Sequence, residues 1–226
     1  MTWLSTSWPR VLELTWSHLL LSLPAILLGI MVAVPLGRIA SRWPRPGGIV
    51  LGAASLLYAI PALPLLIIIP FLFGFPQRSP TTLVVALGVY AAAVLVRTSA
   101  DAFTSIDSKV RESAIATGHS AGAMFWRVDL PLAVPVLVSG IRVVTVSTVG
   151  LVTISALIGV PSLGTLFTDG FQRGITAEVI TGILAVIVVA CVLDAICVVI
   201  GRKLTPWSHT RSQPKRTHEP AGEAKA

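Results

Sequence analysis

Five long apolar runs, separated by short polar stretches, organise this sequence: about 18–37, 48–74, 81–100, 132–158 and 179–201. Each holds about 20 residues or more, the length an α-helix needs to cross the hydrocarbon core of a bilayer. Backbone groups in lipid must bond to one another, so such runs predict helices. The expected fold class is an all-α membrane protein, a polytopic bundle of about five transmembrane helices. The predicted division is an external or interfacial segment over 1–17, a membrane body over 18–203, and a basic cytoplasmic tail over 204–226 without fixed structure. Trp3, Trp8 and Trp16 are candidate interface anchors. The first run is too long, and its N-terminal flank too poorly basic, for a signal peptide. The second run contains Pro61, Pro64 and Pro70, which predicts a kinked or broken helix. Broken helices line many transport pathways, so Pro61 and Pro64 are pathway candidates; a packing kink is the competing reading. The stretch about 159–177 is expected outside, where Gly159, Pro161, Gly164, Gly170 and Gly174 argue against a long helix.

One polar, amphipathic island interrupts this pattern, in the loop 102–131. From Glu112 to Pro131 it reads ESAIATGHSAGAMFWRVDLP. A small-residue helix over Glu112–Thr117 is expected to break at Gly118, which permits a backbone turn that a Cβ resists. A second helical piece is expected over Met124–Leu130, stopped by Pro131. Ala114 and Ala116 would let another surface approach closely, and Phe125 and Trp126 offer large apolar anchors. Between two spans, this helix–turn–helix reads as a docking element; an amphipathic loop lying on the membrane surface is the alternative.

Composition agrees with the pattern. Hydrophobic residues make up 54% of the 226 and charged ones 12%, with a mean hydropathy of +0.84. The net charge of +7 raises nucleic acid as a partner, but the basic residues are spread between spans and along the tail rather than gathered on one domain. Orientation in a membrane explains them better. Of the 17 Lys and Arg, only Arg10, Arg78 and Arg173 fall on predicted external segments; Arg142 lies within a span and the rest are internal. The bias sets the N-terminus outside and the C-terminus and the 102–131 loop in the cytoplasm.

Candidate chemistry is sparse. No G-x-x-x-x-G-K followed by Ser or Thr appears, so ATP is not cradled by that device. No H-E-x-x-H, G-x-S-x-G or Cys/His metal spacing is present, and no catalytic residue, metal ligand or cofactor is assigned. Cys191 and Cys197 read as small apolar residues of one span. His18, His119, His209 and His218 are scattered, and His119 reads as a solvated loop residue. Arg142 and Asp194 are the ionisable residues deep within predicted spans, which marks them as functional candidates. They lie at comparable depths, eleven residues after Pro131 and eight before Arg202. Pairing near the inner side and separate snorkelling to the headgroups carry equal weight.

The island resembles the cytoplasmic signature loop of permease subunits of ABC importers, E-A-A-x-x-x-G-x(9)-I-x-L-P. Glu112, Ala114, Gly118, Leu130 and Pro131 match in register, with Ser113 and Val128 as departures. Residues about 18–200 further resemble the permeases of osmoprotectant importers for glycine betaine, carnitine and choline. SLLYAIPALPLL (Ser55–Leu66), VRTSADAF (Val96–Phe103) and GIRVVTVSTVG (Gly140–Gly150) carry that likeness. ALIGVPSLGTL (Ala156–Leu166) carries it too, with Val160, Pro161 and Ser162 as departures.

The resemblance implies a non-catalytic permease subunit in a bacterial cell membrane. Its partners would be ATP-binding ATPase subunits, a second permease copy or paralogue, and an extracytoplasmic binding protein. Glu112, Ala114 and Gly118 would shape the coupling loop and Phe125 and Trp126 anchor it, while Arg111 and Arg127 would meet acidic groups of the ATPase. Tyr58 and Tyr90 are the candidates for contact with a quaternary amine through cation–π attraction. A permease for methionine or another polar amino acid is the alternative within the class, and a non-transporting membrane scaffold or sensor the alternative outside it. The tail has two readings, contact with anionic lipid and an inert solvated extension.

Overall fold

The computed structural model describes residues 2–207, all of whose regular elements are helical. The predicted tail therefore lies almost wholly outside the described residues. Helix α1 (Thr2–Arg42) runs unbroken through Pro9, Pro24 and Pro35. Its 41 residues are far more than the roughly 20 a bilayer core needs. The stretch expected as a separate segment over 1–17 is continuous in one helix with the first apolar run. Helix α2 (Pro44–Ala59) and α3 (Ala62–Phe73) meet at 114°. Ile60 there is extended, as a residue preceding proline prefers, and Pro61 starts the new helix. Pro61 breaks the second run, while Pro64 sits in the first turn of α3, where its missing N–H costs little.

Helix α4 (Pro80–Thr104) follows, capped by the Ser79 side chain, which accepts from the Thr82 N–H. Short helices α5 (Ser108–Ala116) and α6 (Ala121–Met124) form the loop, and a π-helical turn (Phe125–Asp129) leads into α7 (Leu130–Val152). A 3₁₀ turn (Thr153–Ile158) ends α7, and α8 (Gly164–Arg173) and α9 (Thr176–Leu204) complete the order. Among the described residues four helical stretches are long and apolar enough to cross a membrane, or five if α2 and α3 count as one bent span.

Helices α1 and α4 form the closest pair, α7 packs on α4, and α9 on α7. The closeness of α1 and α4 depends on Gly29 and Gly37. A Cβ on Gly29 would lie 2.6 Å from that of Ala91, and one on Gly37 would collide with Ser99. Small residues facing each other let backbones approach, which is how helices gain packing energy in lipid. Helix α9 instead presents Ile183, Leu184, Ile187, Val188 and Val192 outward. So large an apolar face is stable against lipid tails and not against water.

Pro131 does not stop the second helical piece of the loop. Residues Ala121–Ile158 form one 38-residue helix, with Pro131 in the first turn of α7. The π turn just before it explains why: Leu130 bonds back to the Phe125 carbonyl, five residues away. This widened turn makes room for a ring that would otherwise clash with the preceding turn.

Candidate functional site

The loop is shaped by its turn chemistry. Asp107 caps α5, its side chain accepting from the Lys109 N–H at 2.9 Å. Gly118 has φ +82°, and its N–H donates to the Ile115 carbonyl at 2.9 Å while the His119 N–H reaches back to Ala114 at 3.1 Å. These are the two bonds of a Schellman ending, which needs a left-handed residue where Gly118 stands. Ser120 then caps α6. The turn reverses the chain and sets α5 against the start of α6.

Beneath the loop, Asp129 is fully buried and takes two cations. Arg38 of α1 donates from Nη2 to its Oδ2, and Arg111 of α5 donates from Nε to Oδ1 at 2.8 Å. Arg111 also donates from Nη2 to the Phe103 carbonyl at the end of α4, at 2.7 Å. The Arg38 guanidinium lies over the Phe103 ring, 5.3 Å from its centroid, and near Phe125 at 5.9 Å. One carboxylate therefore joins α1, α5 and α7, with α4 tied in through its backbone. Burying an ion pair is costly, and removing one partner costs about 3–5 kcal/mol because it strands the other.

Two loop residues expected to face a partner lean toward the body of the chain. Arg111 and Phe125 turn inward, Arg111 to Asp129 and Phe125 into the apolar cluster of Ala102, Phe103, Ile106, Ala133 and Leu137. Both remain partly exposed. Ala114 is covered by its own chain, and Leu130 and Pro131 are half-buried at the start of α7. Left on the outer surface are Glu112, Ala116 and Arg127, with Ile115 at 64% and Trp126 at 68% exposure. The inward turn of Arg111 has a plain cause: Asp129 comes from a segment 18 residues away, and helical spacing cannot show that pairing.

Arg142 on α7 donates from Nε and Nη2 to the two carboxylate oxygens of Asp194 on α9, each at 2.7 Å. The pair is bidentate, the geometry that fits guanidinium to carboxylate. Tyr58 and Tyr90 also meet, with ring centroids 5.6 Å apart. Pro64 lies beyond the break, on α3. Cys191 and Cys197 are free thiols, and no group of side chains among the described residues could hold a metal.

At the end opposite the loop, Arg10 of α1 donates to Asp169 of α8 and, at 3.3 Å, to Glu178 of α9, which is fully buried. Arg173 lies 3.9 Å from Glu178. His18 is also buried, donating from Nε2 to the Val149 carbonyl at 3.0 Å. Sequence reasoning assigned no role to Arg38, Asp129, His18 or Glu178. The available hint was an acid two residues before Pro131, at the mouth of a span. Its partner in α1 lies 91 residues away.

Residues 25–206 match the family described as binding-protein-dependent transport system inner membrane component. The chain belongs to this family. It is a non-catalytic, multi-pass component of an inner-membrane ABC importer, which works with an ATPase and a binding protein. The glycine betaine/carnitine/choline transport system permease protein OpuCB of Bacillus subtilis is 31% identical over 91% of this chain and 94% of its own. The choline transport system permease protein OpuBB of the same organism is 30% identical over 90% and 92%. The osmoprotectant import permease protein OsmW of Salmonella typhimurium is 34% identical over 80% and 86%. Among solved structures, a chain of the inward-facing MetNI methionine ABC transporter superposes with a TM-score of 0.76 at 21% identity, over 84% of this chain and 94% of that one. That likeness concerns the fold.

Proposed function

We propose that this permease forms, with a second copy or a paralogue, the membrane pathway for a quaternary-amine osmoprotectant such as glycine betaine, carnitine or choline. The observation that carries the reading is identity of about a third, over most of the chain, to permeases bearing those substrates in their names. In this reading the N-terminus is outside and the loop cytoplasmic, as the distribution of Lys and Arg supports.

The exposed face of the loop, with Glu112, Ile115, Trp126 and Arg127, docks into the ATPase. Closure of the ATPase subunits pushes the loop, and rigid attachment converts the push into tilting of spans. Asp129 supplies the attachment: a force on α5 passes through Arg111 to α7 and through Arg38 to α1. Arg111, Phe125, Leu130 and Pro131 hold the loop in position, and Gly118 sets its turn. The Arg142–Asp194 pair holds α9 to α7 while the bundle moves.

The test is ATP-dependent uptake of labelled glycine betaine by the reconstituted complex, wild type against Gly118→Asp. The substitution places a charged Cβ-bearing residue at φ +82°, a backbone conformation that strongly favours glycine. Wild type should accumulate betaine, and the variant should retain assembly and ATP hydrolysis while losing most of the uptake. An assembled wild type that hydrolyses ATP and moves methionine but no betaine would sink the osmoprotectant reading and favour the amino-acid one.

A further inference from the structure

Helices α2 and α4 flank a mainly apolar groove, with three polar side chains, that the loop machinery does not use. Leu51, Ser55 and Tyr58 recur at helical spacing on α2, and Tyr90, Val94 and Arg97 do so on α4. The cavity between them has a volume of about 370 Å³, and its polar lining is Ser55, Tyr58 and Arg97. Tyr58, 56% exposed, lies against Tyr90 with the ring planes tilted by 43°. It stands just before the 114° break between α2 and α3, level with Tyr90 near the middle of α4. Arg97 stands at the other end, about 10 Å further along the axis at the usual helical rise. Among the described residues Arg97 makes no ion pair, a property it shares with Arg42, Arg45, Arg78, Arg127 and Arg202; of these it is the one that lines the groove. A larger cavity of about 440 Å³, between α1, α2 and α4, has only apolar side chains and glycine and offers nothing to orient a polar ligand.

Arg97 stands at the loop end of the third apolar run, still within α4, and its guanidinium fork matches a carboxylate. Aromatic faces attract quaternary ammonium groups. We propose, resting on the quaternary-amine reading above, that this groove is a substrate-contact site for zwitterions carrying both groups. Tyr58, with Tyr90 packed against it, holds the ammonium, and Arg97, whose long side chain points back toward the N-terminal end of α4, holds the carboxylate. Choline has no carboxylate to offer, and its positive charge is repelled by Arg97. The permease is thereby selective for glycine betaine and carnitine over choline, whatever its binding protein delivers.

Maximal uptake rates of the three labelled compounds by the reconstituted complex, with its own ATPase and binding protein, test this. Wild type should move glycine betaine and carnitine faster than choline. Arg97→Gln should slow the two carboxylated substrates about tenfold, the worth of one hydrogen bond to a charged group, and leave choline unchanged or faster. Tyr58→Leu should slow all three, and Tyr58→Phe, which keeps the ring face, should restore them. Should Arg97→Gln fail to assemble, Arg97→Lys serves: it keeps the charge, loses the fork, and should show a smaller loss confined to the carboxylated pair. Equal loss of all three substrates in an Arg97 variant, no loss at all, or a wild type that prefers choline would overturn the zwitterion assignment and leave the quaternary-amine reading standing. A wild type that hydrolyses ATP and moves none of the three overturns both.

Discussion

Asp129 shows how far one side chain can bind a membrane protein together. Its carboxylate meets Arg38 and Arg111 from helices that are distant in sequence, and it has no exposure to screen the charges. Asp129→Asn keeps the shape and removes the charge, which leaves two guanidinium groups facing each other without a counter-ion. The loss should be about 3–5 kcal/mol, read as a lower unfolding temperature of the purified protein in detergent. Arg38→Met in the same chain should recover part of it, because one stranded cation is removed. Failure of the second change to recover any stability would show that Asp129 acts through something other than its charge. Trp126, by contrast, is exposed beside the partly buried Phe125, with their rings 5.0 Å apart and nearly perpendicular. Adjacent positions in a helix point in different directions, so two neighbouring aromatics take opposite duties.

At the scale of elements, the α1–α4 contact and the bent α2–α3 pair set the shape of the bundle. A Cβ at Gly29 would run into the Ala91 side chain and crowd the backbone of Ala91 and Ala92. Gly29→Ala should force the helices apart and cost about 1–3 kcal/mol, the usual range for overpacking. Gly52, also helical, has nothing within 4 Å of its would-be Cβ. Gly52→Ala should therefore stabilise slightly, by about 0.5–1 kcal/mol, through the better helix propensity of alanine. Thermal unfolding of the two variants side by side would check this opposition of sign. The prolines teach a related lesson. Pro9, Pro24 and Pro35 pass without a break in α1, whereas Pro61 divides α2 from α3. All four lack the same N–H; which of them breaks a helix is decided by whether neighbours and local adjustments re-satisfy the freed groups.

At the scale of the whole molecule, the two charged clusters sit at opposite ends of the bundle, Arg38–Asp129–Arg111 at the loop end and Arg10–Asp169–Glu178 at the other. The orientation proposed above predicts which end faces the cytoplasm. With Cys191 and Cys197 replaced by Ala, a single cysteine at Arg78 or Gln172 should react with an impermeant thiol reagent in intact cells. One at Glu112 should react only after the membrane is opened. The reverse pattern would invert the topology.

The spans and the loop between them were legible in the sequence because they are local properties; their number stands at four, or five if α2 and α3 make one bent span. Bilayer thickness demands about 20 apolar residues, and Gly118 sits where only a left-handed turn closes α5. The Arg and Lys bias, the Glu112–Pro131 register and the family likeness also belong to the chain read in one dimension. What the tertiary structure alone decided is which side chains meet. Arg111 was legible as a loop cation, but its inward turn depends on Asp129, and Asp129 depends on Arg38, 91 residues away. Pro131 was legible as a helix breaker, but the π turn before it lets the helix run on. A linear pattern records hydrophobicity and backbone preference residue by residue. Pair energies between buried charges depend on the three-dimensional approach of distant helices, and that exists only after the bundle has packed.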